Sequence, residues 1–278
     1  MSAARCIRWN GEAVDTIPAS SRGLHYGDGV FRTMLMQGGK IVALDAQVDK
    51  LAADAAVLGL ESSQQLLRDE LAAIASFGDA TIKLLLLRAG AGRGYRPQTT
   101  QADRLLLVYP PPSWPANQAI DGIAAIRSPV TMATQPLLAG IKHLNRLEQV
   151  LASRDWPADV DEALLADERG NPVCGTRSNL FWVSKGCLYT PALDRCGVAG
   201  VTRSQVLVLA GQLGIDCQIA GQPWTALQSA EEAFVCNSLI GIWPLRRLDN
   251  HPYSATRPIT HRLQTALAHP LAHPFRGV

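Results

Sequence analysis

Only five lysines occur in the 278 residues, Lys40, Lys50, Lys83, Lys142 and Lys185, and one of them stands where a lysine could do chemistry. Lys142 lies in Leu138-Ala139-Gly140-Ile141-Lys142-His143-Leu144-Asn145-Arg146-Leu147-Glu148-Gln149-Val150. The approach is apolar, and a helix should follow it, with Asn145 as its cap and Leu147, Val150 and Leu151 at helical spacing. An ammonium removed from water gives up its proton easily, and the resulting amine can form an imine with a carbonyl. A lysine whose stem lies on the core while its head reaches water is the commoner arrangement, and this window alone favours it.

Anion-binding residues come next. Gly90, Gly92 and Gly94 do not make the GxGxxG spacing, and Tyr95-Arg96-Pro97 does not open a helix, so a dinucleotide loop is excluded. Arg88 and Arg93 carry forked guanidinium groups suited to carboxylates, and a turn with solvated arginines describes the same letters. A phosphate belongs at a helix N-terminus, where unpaired amides meet an anion, and Gly200-Val201-Thr202 precedes such a helix. His269 and His273 share a helical spacing, but Pro270 and Pro274 argue against a helix and against a metal site. No Ser-His-Asp set or carboxylate pair can be picked out for hydrolysis.

Six cysteines, at positions 6, 174, 187, 196, 217 and 236, form no CxxC pair and imply reduced thiols in a cytoplasm. The content is that of a globular protein, 47% hydrophobic and 18% charged, and a net charge of +2 without a basic run gives no support to nucleic-acid binding. The opening residues lack the apolar core of a signal peptide and no apolar run is long enough to span a bilayer, so no membrane role is expected.

The elements that must carry these residues mix strands and helices. Asn10-Gly11 signals a hairpin between strands at 6–9 and 13–17, and Gly38-Gly39 closes another between 31–36 and 41–44. Asp45 should cap a helix with Val48, Leu51, Ala52, Ala55 and Leu58 on one face, and a second helix should run from 63 to 77 and stop at Gly78. Strands follow at 81–87 and 104–109. Pro110-Pro111-Pro112-Ser113-Trp114-Pro115 can continue neither a ladder nor a helix. Two domains are therefore expected, 1–109 and 119–278, with 110–118 as linker and Lys142 in the second. Beyond the linker the pattern predicts strands at 123–127, 163–167, 180–183, 188–190 and 233–236 and helices at 202–213 and 260–268.

Arg22-Gly23 with Tyr26-Gly27-Asp28-Gly29-Val30-Phe31, the run from Ala139 to Leu151, Ser178-Asn179-Leu180-Phe181 and Gly200-Val201-Thr202-Arg203 follow one another across most of the chain. In this order they resemble the fold-type IV, branched-chain-aminotransferase-like pyridoxal-phosphate enzymes. Within that superfamily the run around Lys142, Arg88 with Gly92-Arg93-Gly94-Tyr95, Thr33 and Cys236-Asn237-Ser238 are similar to the aminodeoxychorismate lyases. The resemblance implies a two-domain α+β or α/β fold with the active site in the interdomain cleft, a homodimer, and pyridoxal 5'-phosphate as cofactor. It implies conversion of 4-amino-4-deoxychorismate to p-aminobenzoate and pyruvate. Lys142 would hold the cofactor and act as base, with Thr33 nearby as a proton relay. Val201, Thr202, Asn237 and Ser238 would hold the cofactor, chiefly at its phosphate, while Arg88, Arg93, Tyr95 and Tyr26 would bind substrate.

Two positions depart from the family pattern. An arginine in an HxxRL-like pattern usually reaches the phosphate, and the corresponding residues here are Gln47 and Lys50-Leu51. Cys174 stands where a glutamate usually faces the pyridine nitrogen and strengthens the electron sink. An elimination that ends in an aromatic ring needs less of a sink, which would accommodate the cysteine. A D-amino-acid or branched-chain aminotransferase is the alternative enzyme, and Cys174 with Lys50 also permits a cofactor-binding protein without catalysis.

Overall fold

A computed structural model describes residues 3–91, 93–115 and 117–271. Gly92 and His273 lie outside them. The chain forms two compact units, Met1–Ser113 with Ile141–Asn145, and Trp114–Gly140 with Arg146–Val278. The segment carrying Lys142 therefore belongs with the first unit, where the sequence reading had put it in the second.

In the first unit, strands β1 (Cys6–Trp9), β2 (Glu12–Ala13), β3 (Gly29–Gln37), β4 (Lys40–Ile41), β5 (Ala80–Arg88) and β6 (Ala102–Tyr109) form one sheet ordered β2-β1-β6-β5-β3-β4. Its strands are antiparallel throughout. Helices α1 (Arg22–Tyr26), α2 (Leu44–Val57) and α3 (Gln64–Ala72) complete the unit. Side chains alternate across the pleat. Val30, Met34 and Met36 with Ile82, Leu84, Leu86, Leu106 and Val108 face Val48, Leu51 and Ala55 of α2 and Leu67 and Leu71 of α3. Fully burying one such side chain is worth roughly 1.5–3 kcal/mol, so this layer fixes which face α2 turns to the sheet. The opposite face carries a smaller cluster of Leu85, Leu87 and Leu105 with Phe31, Trp9 and Leu144. The cap of α2 is Ala43 in a left-handed conformation (φ 56°), not Asp45, which lies in the first turn. β4 consequently ends sooner than the apolar run suggested.

In the second unit the elements are α4 (Gln118–Asp121), β7 (Ile123–Thr131), α5 (Leu147–Ala152), β8 (Glu162–Ala166), β9 (Pro172–Gly175), β10 (Asn179–Ser184) and β11 (Cys187–Thr190). They continue with α6 (Val201–Gln212), β12 (Cys217–Ile219), α7 (Trp224–Gln228), β13 (Glu232–Asn237), β14 (Gly241–Leu248), β15 (His251–Pro252) and α8 (Pro258–Leu267). The sheet runs β12-β11-β10-β13-β14-β7-β8-β9, and β9 returns to pair with β10. Six strands thus close on themselves, which leaves β10, β13, β14, β7, β8 and β9 without a free edge. The closing pair is Cys174 opposite Asn179. Val206, Ala210 and Leu263 from α6 and α8 pack on Phe181, Phe234 and Ile242. The cap position of α5 falls on Arg146 rather than Asn145. Its apolar residues face outward: Leu147 is 76% exposed, Val150 59% and Leu151 52%. No helix among the described residues is long and apolar enough to cross a membrane.

Candidate active site

Lys142 is held by its main chain. The Phe31 N–H donates to the Lys142 carbonyl at 2.9 Å, the Leu144 N–H donates to the Gly29 carbonyl at 3.1 Å, and Val30 bridges His143 antiparallel. The segment is in effect a short extra strand on β3. Gly29 permits it, because a Cβ there would lie 2.4 Å from the Leu86 carbonyl oxygen and 3.0 Å from the Leu144 side chain. The Lys142 Nζ sits 4.7 Å from the centroid of the Phe31 ring, and the Lys83 Nζ sits 5.1 Å from the same centroid. Thr33 shares the Phe31 face of β3, two residues on, and is paired with Lys83 of β5. Two ammonium groups, a hydroxyl and an aromatic face therefore gather on one side of the sheet.

Beneath that face lies Asp54 of α2, 1% exposed. Its Oδ2 pairs with the Arg32 guanidinium and accepts the Lys142 backbone N–H at 3.1 Å. Its Oδ1 pairs with the Lys50 ammonium one helical turn away. Burial lowers the pKa of both Arg32 and Lys50, and Asp54 opposes that by favouring their charged forms. A side chain expected at a phosphate is thus engaged by a buried carboxylate.

A second shared carboxylate organises the glycine-rich loop. Asp28 Oδ2 takes Arg22 Nε and Arg88 Nε, each at 3.0 Å. Arg22 also donates to the carbonyls of Gly94 (2.8 Å) and Tyr95 (3.1 Å), while its guanidinium lies 4.8 Å from the Tyr26 ring centroid. The Tyr26 hydroxyl accepts the Gly94 N–H at 3.1 Å. Arg88 donates onward to the carbonyls of Gly59 (3.2 Å), Thr99 (3.0 Å) and Leu58. Every nitrogen of Arg88, expected at the substrate, is engaged within the unit in a buried lock. Arg93 and Tyr95 stand exposed at the loop tip.

In the second unit the motif residues align across strand ends. Asn179 of β10 pairs with Cys174 of β9 on one side and with Cys236 of β13 on the other, so Asn237 and Ser238 follow at the same end of the sheet. The Asn179 side chain accepts the Gly200 N–H at 3.1 Å and donates to the Val198 carbonyl at 2.7 Å. It thereby fixes the entry into α6. Gly200 is required there, since a Cβ would meet Asn179 Oδ1 at 2.4 Å. The first turn of α6 has no acidic residue and no side-chain cap. Its leading residues Val201 and Thr202 are buried, and helix geometry leaves the first amides without an intrahelical acceptor. These residues fit a phosphate, the natural acceptor for such amides. The Asn237 Oδ1 accepts from the Leu239 and Ile240 N–H groups, and its Nδ2 donates to the Arg177 carbonyl, so it builds the turn that carries Ser238. Cys174 is buried with its sulfur 3.6 Å from that of Met132. Burial pushes the Cys236 thiol up to about 12, so it stays protonated.

A family model described as amino-transferase class IV matches residues 29–248. The chain belongs to this family. Its members depend on pyridoxal phosphate, and the chain has the fold-type IV architecture. It is 32% identical to the aminodeoxychorismate lyase of Vibrio harveyi over 266 residues, covering 92% of this chain and 97% of the relative. It is 31% identical to a putative branched-chain-amino-acid aminotransferase of Methanocaldococcus jannaschii over 256 residues, covering 87% and 88%. The crystal structure of 4-amino-4-deoxychorismate lyase from Pseudomonas aeruginosa superposes with a TM-score of 0.92 at 37% identity, covering 96% of this chain and 99% of that one.

Within the family frame, two residues were missed from the sequence. Lys83 sits opposite Thr33, and the alternation of β5 against β3 carries that information once the register is known. Asp54 lies four residues after Lys50, a helical ion-pair spacing that was legible in the letters.

Proposed function

We propose that the protein is a lyase that converts 4-amino-4-deoxychorismate to p-aminobenzoate and pyruvate. The observation that carries this reading is the cationic face of the first unit, where Lys142 and Lys83 flank Phe31 beside Thr33. A substrate with two carboxylates fits the Lys83 ammonium and the outward Arg93 guanidinium, which leaves the Lys142 amine for the cofactor. The near full-length likeness to two lyases supports the same reaction.

The α6 N-terminus and Ser238 would hold the phosphate of pyridoxal phosphate, and Lys142 would hold its carbonyl carbon. When bound, the cofactor supplies an electron sink for the carbon that bears the substrate nitrogen. Lys142 would take the proton from that ring carbon. Thr33 passes a proton to the departing enolpyruvyl group. Lys83 and Arg93 orient the carboxylates, and Tyr26 and Tyr95 border the loop. Loss of the ring proton and of the enolpyruvyl group leaves an aromatic ring, and atoms balance between one substrate and two products. No keto-acid partner is needed.

A second copy of the chain would cover the outward Leu147, Val150 and Leu151 of α5, since exposed large apolar side chains on one helix mark an association surface. The six unbridged thiols support a reducing compartment such as cytoplasm. The deciding experiment incubates aminodeoxychorismate with the cofactor-loaded protein and no keto acid. Equimolar p-aminobenzoate and pyruvate are expected. Turnover that requires a keto acid and releases no pyruvate would make the protein an aminotransferase instead.

A further inference from the structure

Asp54 takes no part in the chemistry outlined above, yet one carboxylate joins three elements. Oδ2 receives Arg32 from β3 and the main-chain N–H of Lys142 at 3.1 Å, and Oδ1 receives Lys50 from its own helix. The lysine segment is also tied to β3, through the Lys142 carbonyl and the Leu144 amide. We infer that Asp54 is the positioning residue for Lys142: its carboxylate fixes the lysine's main chain to α2 as well as to β3, and so sets where the amine begins its work.

The physical argument is one of freedom and charge. The Nζ is the far end of a four-carbon lever, so a small rotation at Cα moves it far. A hydrogen bond from the Lys142 N–H to an ionised acceptor is stronger than one to a neutral group. The acceptor itself cannot shift, because it is buried and gripped from both sides by Arg32 and Lys50. Lys50 in this account is a support of the lysine anchor, which gives a use to a lysine where the family pattern has an arginine.

The inference rests on Lys142 being the cofactor lysine, and the test separates the two. Asp54→Ala would leave Arg32 buried without its partner and could unfold the unit, so the charges are removed together. Two triple variants share Arg32→Met and Lys50→Met and differ only at 54, where one has Asp54→Asn and the other Asp54→Leu. The asparagine oxygen still accepts the Lys142 N–H, and leucine of similar size does not. Each protein, with its fold checked by thermal melting, is given substoichiometric pyridoxal phosphate, reduced with borohydride and peptide-mapped. Label at Lys142 is expected to stay within about threefold of wild type in the asparagine variant and to fall about tenfold in the leucine variant, as for loss of a hydrogen bond. Equal labelling of the two variants would overturn the role of Asp54 while leaving Lys142 as the anchor. Wild-type label on another lysine would overturn both.

Discussion

The interior and the outward rim of the first unit hold the same kind of residue in opposite ways. Arg32 and Lys50 share Asp54, and Arg22 and Arg88 share Asp28, so each of these two carboxylates is gripped by two cations. On the rim, Lys142 and Lys83 rest on the Phe31 ring and Arg93 extends from an exposed loop. A cation locked to a buried carboxylate and to backbone carbonyls has no capacity left for a ligand. One that lies over an aromatic face is held by a weaker contact. Burial and partner, not residue type, divide framework from chemistry here.

The largest effect should come from the rim. Lys142→Ala removes both the proposed anchor and the base, so pyruvate release should fall at least about a thousandfold while the melting temperature changes little. Retention of a tenth of the activity would erase the distinction drawn above. The interior should behave in the reverse manner. Arg88→Met leaves Asp28 with one partner and strips donors from three carbonyls, which should lower the unfolding free energy by about 3 kcal/mol in urea titrations. A stability within about 0.5 kcal/mol of wild type, the range of an ordinary surface change, would show that Arg88 is not a lock.

Arg93→Gln sharpens the contrast within a single motif. The residue is exposed and pairs with no carboxylate among the described residues, so stability should hold within about 0.5 kcal/mol. If it meets a substrate carboxylate, KM should rise about tenfold with kcat little changed, the loss of one charge-assisted contact. An unchanged KM would remove Arg93 from the substrate site.

How much of this was legible beforehand follows from the range of the interactions. Local features were readable: the start of α3 near Ser63, the Gly38-Gly39 hairpin, the amphipathic stretch of α2 and the glycine before α6. The distinction between Arg88 and Arg93 was not, because it depends on Asp28, 60 residues from Arg88, and on carbonyls of the loop after α2. Asn145 reads as a helix cap by type, but its amide donates to the Gly27 carbonyl instead, and the helix starts later. α5 reads as a helix with a core face, yet no periodicity says whether that face meets this chain or another. The turn built by Asn237 was not legible either, since turn formation by a side-chain oxygen depends on the amides that follow.

A third way to bury a base, neutral rather than paired or exposed, gives the smallest effect. His269, just beyond α8, is 5% exposed and has the Ser238 carbonyl 3.2 Å from its Nε2, while its Nδ1 accepts the Leu271 N–H at 3.3 Å. These partners assign the proton to Nε2 and leave Nδ1 as acceptor. Burial lowers its pKa below the ordinary 6.5, and the contact with Ser238 only partly opposes that. The folded state then binds fewer protons than the unfolded chain between the lowered value and 6.5, so the histidine's contribution is full above 6.5 and is lost as pH falls through that window. Protonation would also set an Nδ1–H against the Leu271 N–H. His269→Gln, which can still donate to Ser238, has no such titration. Urea midpoints measured between pH 8 and pH 5 should therefore fall more steeply for wild type than for the variant, with the curves separating only below about 6.5. Parallel curves through that range would mean that His269 carries the same charge in both states.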